Sequence, residues 1–185
     1  MLLLYEPDFE LIAFGMEDVA AALRQRRTVC IERGLADQAL LDDAPAIICD
    51  VASPGQESPG AEGFTIGLTG RTIHVTGGDE RGAMYGLFDV AETIEHSGSN
   101  AVAPKTCKPF LPVRGVKFNL PFESFDNGEP FERNRETCLS MGFWRNYIDF
   151  LARSRYNCLS LWSEHPWHMM FRLAKYPQTC PFDDL

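Results

Sequence analysis

The chain has 185 residues, 45% of them hydrophobic and 23% charged, with a net charge of −9. That length is one large domain, or a small domain and a further piece, and the composition is globular rather than disordered. The acid excess argues against a nucleic-acid stripe and against an anionic membrane surface, so neither partner is expected. No apolar run approaches the ~18 residues of a membrane span.

The charge is unevenly spread. Residues 1–105 carry 7 Lys and Arg against 17 Asp and Glu; residues 106–185 carry 10 against 9. Aromatics split the other way, 6 in the first part and 15 in the second. Two units with different jobs are expected, divided at 105/106. Leu2, Leu3 and Leu4 are too few for a signal-peptide core, and no basic residue precedes them. A cytoplasmic protein is the resulting expectation.

Met16, Val19, Ala20 and Leu23 follow the spacing of an amphipathic helix. Glu17 and Asp18 are read in its first turn and Arg24, Arg26 and Arg27 in its last, which suits the helix dipole. Apolar runs at 28–32 and 46–51 predict strands. The Pro- and Gly-rich stretch 53–60 predicts a loop. Phe64, Ile66 and Leu68 alternate, Gly70-Arg71 turns the chain, and Ile73 and Val75 alternate again, which predicts a β-hairpin. Gly77-Gly78 ends it. Asp79 then caps a helix running to about Glu95, with Met84, Leu87, Phe88, Ala91 and Ile94 on its apolar face. Gly82 and Gly86 each cost about 1 kcal/mol in a helix interior; close approach of helix to sheet is the expected compensation.

Residues 97–112 read as a Pro-containing linker. Residues 113–120 predict a strand, 121–135 a loop, Trp144, Tyr147, Ile148 and Leu151 a helix, and 156–162 a second strand. Strand, helix and strand make one βαβ unit. A (β/α)8 barrel needs about 250 residues, so the last 80 or so offer only its beginning. The expected fold is an α+β accessory domain, with a mixed sheet and two helices, followed by the first βαβ unit of an incomplete TIM barrel.

Six cysteines sit at 30, 49, 107, 138, 158 and 180, with no C-x-x-C pair. Zinc-ribbon and thioredoxin readings therefore fail. Free thiols are expected rather than three disulfides, since no secretion signal is read.

The motif Gly63-Phe64-x-Ile66, then Ile73-x-Val75-x-Gly77-Gly78-Asp79-x-Arg81-Gly82-x-x-Tyr85-Gly86, resembles the small α+β domain that precedes the barrel in several glycoside hydrolases. These include the β-N-acetylhexosaminidases of family 20 and the α-glucuronidases of family 67. Arg114-Gly115-Val116-Lys117-Phe118-Asn119 is similar to the first barrel strand of the hexosaminidases. The resemblance implies a glycosidase acting on O-glycosidic bonds of an oligo- or polysaccharide, with its catalytic carboxylates beyond Leu185. It implies a sugar contact for Arg114. Asn119 stands where the hexosaminidase strand ends in Asp. The competing class is a non-catalytic carbohydrate-binding or domain-interaction module with a degenerate barrel. The partners expected are a carbohydrate and the rest of the barrel.

Barrel sites form at the carboxyl ends of strands. Asn119 ends the first. Trp162-Ser163-Glu164-His165-Pro166-Trp167-His168 ends the second. A sugar wants carboxylates and amides beside aromatic platforms, which makes Asn119, Glu164, His165 and Trp167 candidate substrate contacts. The alternative for the second segment is a structured loop. His165 and His168 are three apart with Pro166 between them, not four apart on a helix, so no metal is expected. Glu123, Asp126 and Glu129 read as loop charges. Gly77-Gly78-Asp79-Glu80-Arg81-Gly82 lacks Gly-Lys-Ser/Thr, and its acids would repel a phosphate. No cofactor is expected.

Overall fold

The computed structural model describes residues 1–40, 44–55, 57–120, 130–163 and 175. The chain divides into two compact units, Met1–Pro112 and Val113–Leu185.

In the first unit, β1 (Leu2–Leu4), α1 (Glu10–Gln25), β2 (Ile31–Arg33), β3 (Ala46–Val51), β4 (Phe64–Thr69), β5 (Thr72–Gly77), α2 (Glu80–Ser97) and β6 (Lys105–Cys107) follow in order. Short 3-10 turns occupy Leu35–Leu40 and Ser99–Ala101. The six strands form one mixed sheet in the order β2-β1-β3-β5-β4-β6. The first four of these run parallel; β4 is antiparallel to both β5 and β6.

One sheet face carries the main core. Cys49, Val75 and Ile66 lie side by side across β3, β5 and β4, all buried. Helix α2 approaches them with Gly86 against Val75, and it buries Leu87, Phe88, Ala91 and Ile94. Helix α1 buries Ile12, Met16, Val19 and Leu23; the Phe14 ring meets Phe88 edge-on at 5.7 Å. On the opposite sheet face Leu4, Ala46 and Ile48 form a second cluster, covered in part by Leu35.

Several expectations shift here. The triple leucine is an internal strand, with Leu3 and Leu4 facing opposite sides and both buried. A parallel strand covered on both faces shows no alternation to read. Helix α1 begins at Glu10, more than a turn before Met16, because Ile12 extends the same stripe. Glu17 and Asp18 are therefore interior, and the acid of the first turn is Glu10. Arg26 is the C-cap and Arg27 lies beyond it with φ 60°. The stretch read as a linker contains β6, which pairs with β4. A division at 105/106 would cut that strand. Its three residues lie near Pro104 and Pro109 and bury nothing that periodicity could reveal.

The hairpin and its helix lie where the pattern puts them. Thr69 and Thr72 pair across the Gly70-Arg71 turn. Asp79 caps α2, its carboxylate accepting from the Gly82 amide at 2.8 Å. A Cβ on Gly86 would lie 2.6 Å from Val75 Cγ1, so the helix does approach the sheet closely. Gly82 meets something else: a Cβ there would lie 2.0 Å from the Gly63 carbonyl oxygen, in the loop before β4.

The second unit contains β7 (Gly115–Leu120), α3 (Pro130–Leu139), α4 (Met141–Arg153) and β8 (Cys158–Ser163). The two strands pair in parallel, Gly115 against Cys158 through Leu120 against Ser163. Part of the segment read as a loop is α3. Pro130 is its first residue, where a proline starts a helix rather than breaking one. The chain is thus a mixed α+β protein with four α-helices among the described residues, none of them long and apolar enough to cross a membrane. The five described cysteines are all free thiols.

Candidate functional site

The candidate site is the carboxyl end of the β7/β8 pair. Helix α4 supports it. Ser140 caps the helix, its hydroxyl accepting from the Phe143 amide at 3.2 Å. Trp144 Nε1 donates to the Cys138 carbonyl at 2.8 Å and ties α4 to α3. The Tyr147 ring stacks on Phe143 and meets Phe118 of β7 at 4.9 Å between centroids. Desolvation, then the charge of Tyr156, raises the Tyr147 phenol pKa above its ordinary value.

This contact fixes the strand faces. Side chains alternate along a strand. Phe118, and Val116 with it, therefore face the helix, while Gly115, Lys117 and Asn119 face away. In a parallel register, partners share a face. Cys158 and Ser160 of β8 stand opposite Gly115 and Lys117, and Trp162 is the register partner of Asn119.

Asn119 is half-buried, at the carboxyl end of β7. Arg114 is at the other end, five residues earlier, about 17 Å along an extended strand. Its Nε donates to the Arg155 carbonyl at 2.7 Å, and its amide donates to Asn157 Oδ1 at 2.9 Å. Its carbonyl accepts from the amides of Asn157 and Cys158. The structure does not bring Arg114 and Asn119 together; Arg114 fastens the start of β7 to the turn before β8. That turn is a left-handed helix stop at Arg155, φ 62°, with the Tyr156 amide reaching back to the Leu151 carbonyl. Glu164, His165 and Trp167 lie outside the described residues, as do Glu123, Asp126, Glu129 and His168.

Lys117 is not among the residues that the sequence singles out. It is exposed on the face of β7 that carries Asn119. The signal lies in the strand's parity: 116, 118 and 120 are apolar, so 117 belongs to the other face.

The start of α2 is filled by the protein itself. Asp79 accepts from Gly82 with one oxygen and from the Glu62 amide with the other, at 2.9 Å. Arg81 pairs with Glu62 at 3.3 Å. Among the described residues no three His, Cys, Asp or Glu are grouped to hold a metal.

No family model and no curated protein matches the chain. Solved structures do. The chain resembles a GH138 enzyme targeting pectin rhamnogalacturonan II, with a TM-score of 0.74 and 21% identity, over 99% of this chain and 21% of that one. The fold is related to that of glycoside hydrolases. A second neighbour is a family GH115 4-O-methyl-α-glucuronidase with specificity for decorated arabinogalactans. There the TM-score is 0.52 and the identity 13%, over 84% of this chain and 24% of that one. The chain thus spans between a fifth and a quarter of the length of these glycoside hydrolases.

Proposed function

We propose that this chain is the N-terminal portion of a glycoside hydrolase that cleaves O-glycosidic bonds in an oligo- or polysaccharide. The first unit is an accessory domain like those of the family 20 hexosaminidases and family 67 α-glucuronidases. The second is the opening strand–helix–strand of a (β/α)8 barrel. The observation that carries this is the match of nearly the whole chain to one glycoside hydrolase while covering 21% of that enzyme.

In this proposal the bond is cleaved by two carboxyl groups on later strands, spaced ~5–5.5 Å apart for retention or ~6.5–9.5 Å for inversion. This chain supplies part of the wall. Asn119 offers an amide to sugar hydroxyls, and Glu164, His165 and Trp167 supply a carboxylate, an imidazole and an aromatic platform from the segment after β8. Arg114 is left out of the wall, because its Nε bond to Arg155 gives it a structural task.

The test is to compare the full-length parent protein with residues 1–185 on aryl glycosides. The parent should turn them over, and single carboxylate-to-amide substitutions on its fourth or later strands should abolish turnover. The 185-residue chain should be inactive. An active fragment, or a parent inactive on every glycoside, defeats the proposal.

A further inference from the structure

Strand β2 is an edge of the six-stranded sheet; among the described residues it pairs with β1 alone. The Ile31 amide donates to the Met1 carbonyl, the Arg33 carbonyl accepts from the Tyr5 amide, and the Val29 carbonyl accepts from the amino terminus. Backbone groups alternate between the two sides of a strand, so the N–H and C=O of Cys30 and Glu32 point away from β1, out of the sheet edge. A free edge is a template for another strand, and proteins blunt it with Lys, Pro or a bulge. The opposite edge is blunted in this way: β6 begins at Lys105 and follows Pro104. Strand β2 has neither Lys nor Pro, and the edge exposes Ile31 by 47% and the preceding Val29 by 77%. Side chains also alternate along a strand, so Val29 and Ile31 share one sheet face.

We infer that β2 pairs antiparallel with the β2 of a second copy of this chain, joining the two sheets across a twofold axis. Such an interface is isologous, so every contact between different residues occurs twice. Charge selects both the occupant and the register. A pairing centred on Glu32 sets two carboxylates face to face, and one centred on Cys30 sets Arg33 toward Arg27 of the second copy. Like charges directly opposite are destabilising. Centred on Ile31, the pairing has neither fault. Ile31 then meets its own counterpart, Arg33 lies opposite Val29, and Glu32 lies opposite Cys30, with which it exchanges both backbone bonds. The basic turn before β2, with Arg26 and Arg27 exposed, runs toward the segment after β2 in the other copy, whose first turn carries Asp37. An antiparallel copy therefore meets opposite charge at both ends of the strand. The Glu32 carboxylate stays with the Tyr5 hydroxyl and Arg24 of its own chain, on the sheet face away from Ile31.

Analytical ultracentrifugation of the 185-residue chain over a range of concentrations measures the association. Wild type should form a dimer that dissociates on dilution. Ile31→Lys sets two ammonium groups opposite each other at the axis and should raise the dissociation constant more than about tenfold. Its Tm, taken at a dilution where wild type is monomeric, should match wild type, because the side chain is already half-exposed. Ile31→Cys reads the register without relying on stability. Ile31 turns its backbone toward β1, so it meets its counterpart at a non-hydrogen-bonded position, with Cα atoms about 4.5 Å apart and within disulfide range. Oxidation with copper–phenanthroline should therefore give a covalent dimer of this variant, with the bond mapped by peptide mass spectrometry to the two introduced thiols. A monomer at every concentration overturns the inference, as does a dimer that Ile31→Lys leaves intact. A covalent dimer of Ile31→Cys joined through Cys30, or none at all, overturns it too. If Ile31→Lys does not fold, the cross-link decides alone. No substrate enters the test, so its result is independent of the glycosidase proposal.

Discussion

The Nε–H of Arg114 is held by the carbonyl of Arg155 at 2.7 Å, 41 residues away in the chain. The bond closes the second unit at the starts of its two strands. With the Asn157 side chain on the Arg114 amide, it sets the register in which Gly115 meets Cys158.

Arg114→Lys removes that donor, because a lysine has no Nε–H on a planar fork. The expected cost is about 1–2 kcal/mol of stability in the second unit. All three tryptophans, at 144, 162 and 167, lie in that unit, so urea unfolding followed by tryptophan fluorescence reports it selectively. An unchanged midpoint, together with a fall in kcat/KM of the full-length protein, would return Arg114 to the sugar site.

Gly86→Ala should destabilise the first unit by roughly 1–3 kcal/mol, the usual cost of overpacking. The new methyl would press on Val75 Cγ1 and on the Phe64 ring. Hydrogen exchange at the β5 amides is the readout. Protection there equal to wild type would mean that α2 moves off the sheet freely.

Arg27→Gly should stabilise the first unit by about 1 kcal/mol, because glycine occupies a left-handed helix stop without a Cβ penalty. Arg27 ends α1 with φ 60°, while the Thr28 amide bonds to the Leu23 carbonyl. Thermal unfolding by circular dichroism measures the gain.

Stability should fall between pH 10 and about 12 through Tyr5. Burial, then its hydrogen bond to Glu32, raises the phenol pKa from 10.0 to about 12. The folded state therefore keeps a proton that the unfolded chain releases from about pH 10. The contribution is whole below about pH 10 and is lost as pH climbs toward about 12. Tyr5→Phe should flatten the alkaline limb of the unfolding midpoint. A variant as alkali-sensitive as wild type would assign that limb to another group.

The sequence is legible where its patterns are local. The hairpin of β4 and β5, its Gly70-Arg71 turn and the Asp79 cap each involve residues within a few positions of one another. Leu2–Leu4 and Lys105–Cys107 are strands only because distant partners complete them. Nothing in three residues could announce that. Pro130 reads as part of a loop because proline marks both breaks and beginnings. At the candidate site, the sequence singles out the strand end at Asn119. It misses Lys117, whose place on the face of Asn119 follows only once Tyr147 is seen to cover Phe118.

The Asp79 carboxylate that joins Gly82 to Glu62 also orders events in time. It closes the hairpin and the start of α2 into one short loop whose contacts are near in sequence, and such contacts form early in folding. Strands β1 to β3 depend on longer closures; β1 must find partners 29 and 44 residues on, at Ile31 and Ala46. The hairpin with its helix is therefore the expected nucleus, and the N-terminal half is the part added to it. Conservative substitutions at Ile66 and Val75 should slow refolding, whereas those at Leu3 and Ile47 should mainly speed unfolding. The reverse pattern in stopped-flow kinetics would place the nucleus in the parallel strands instead.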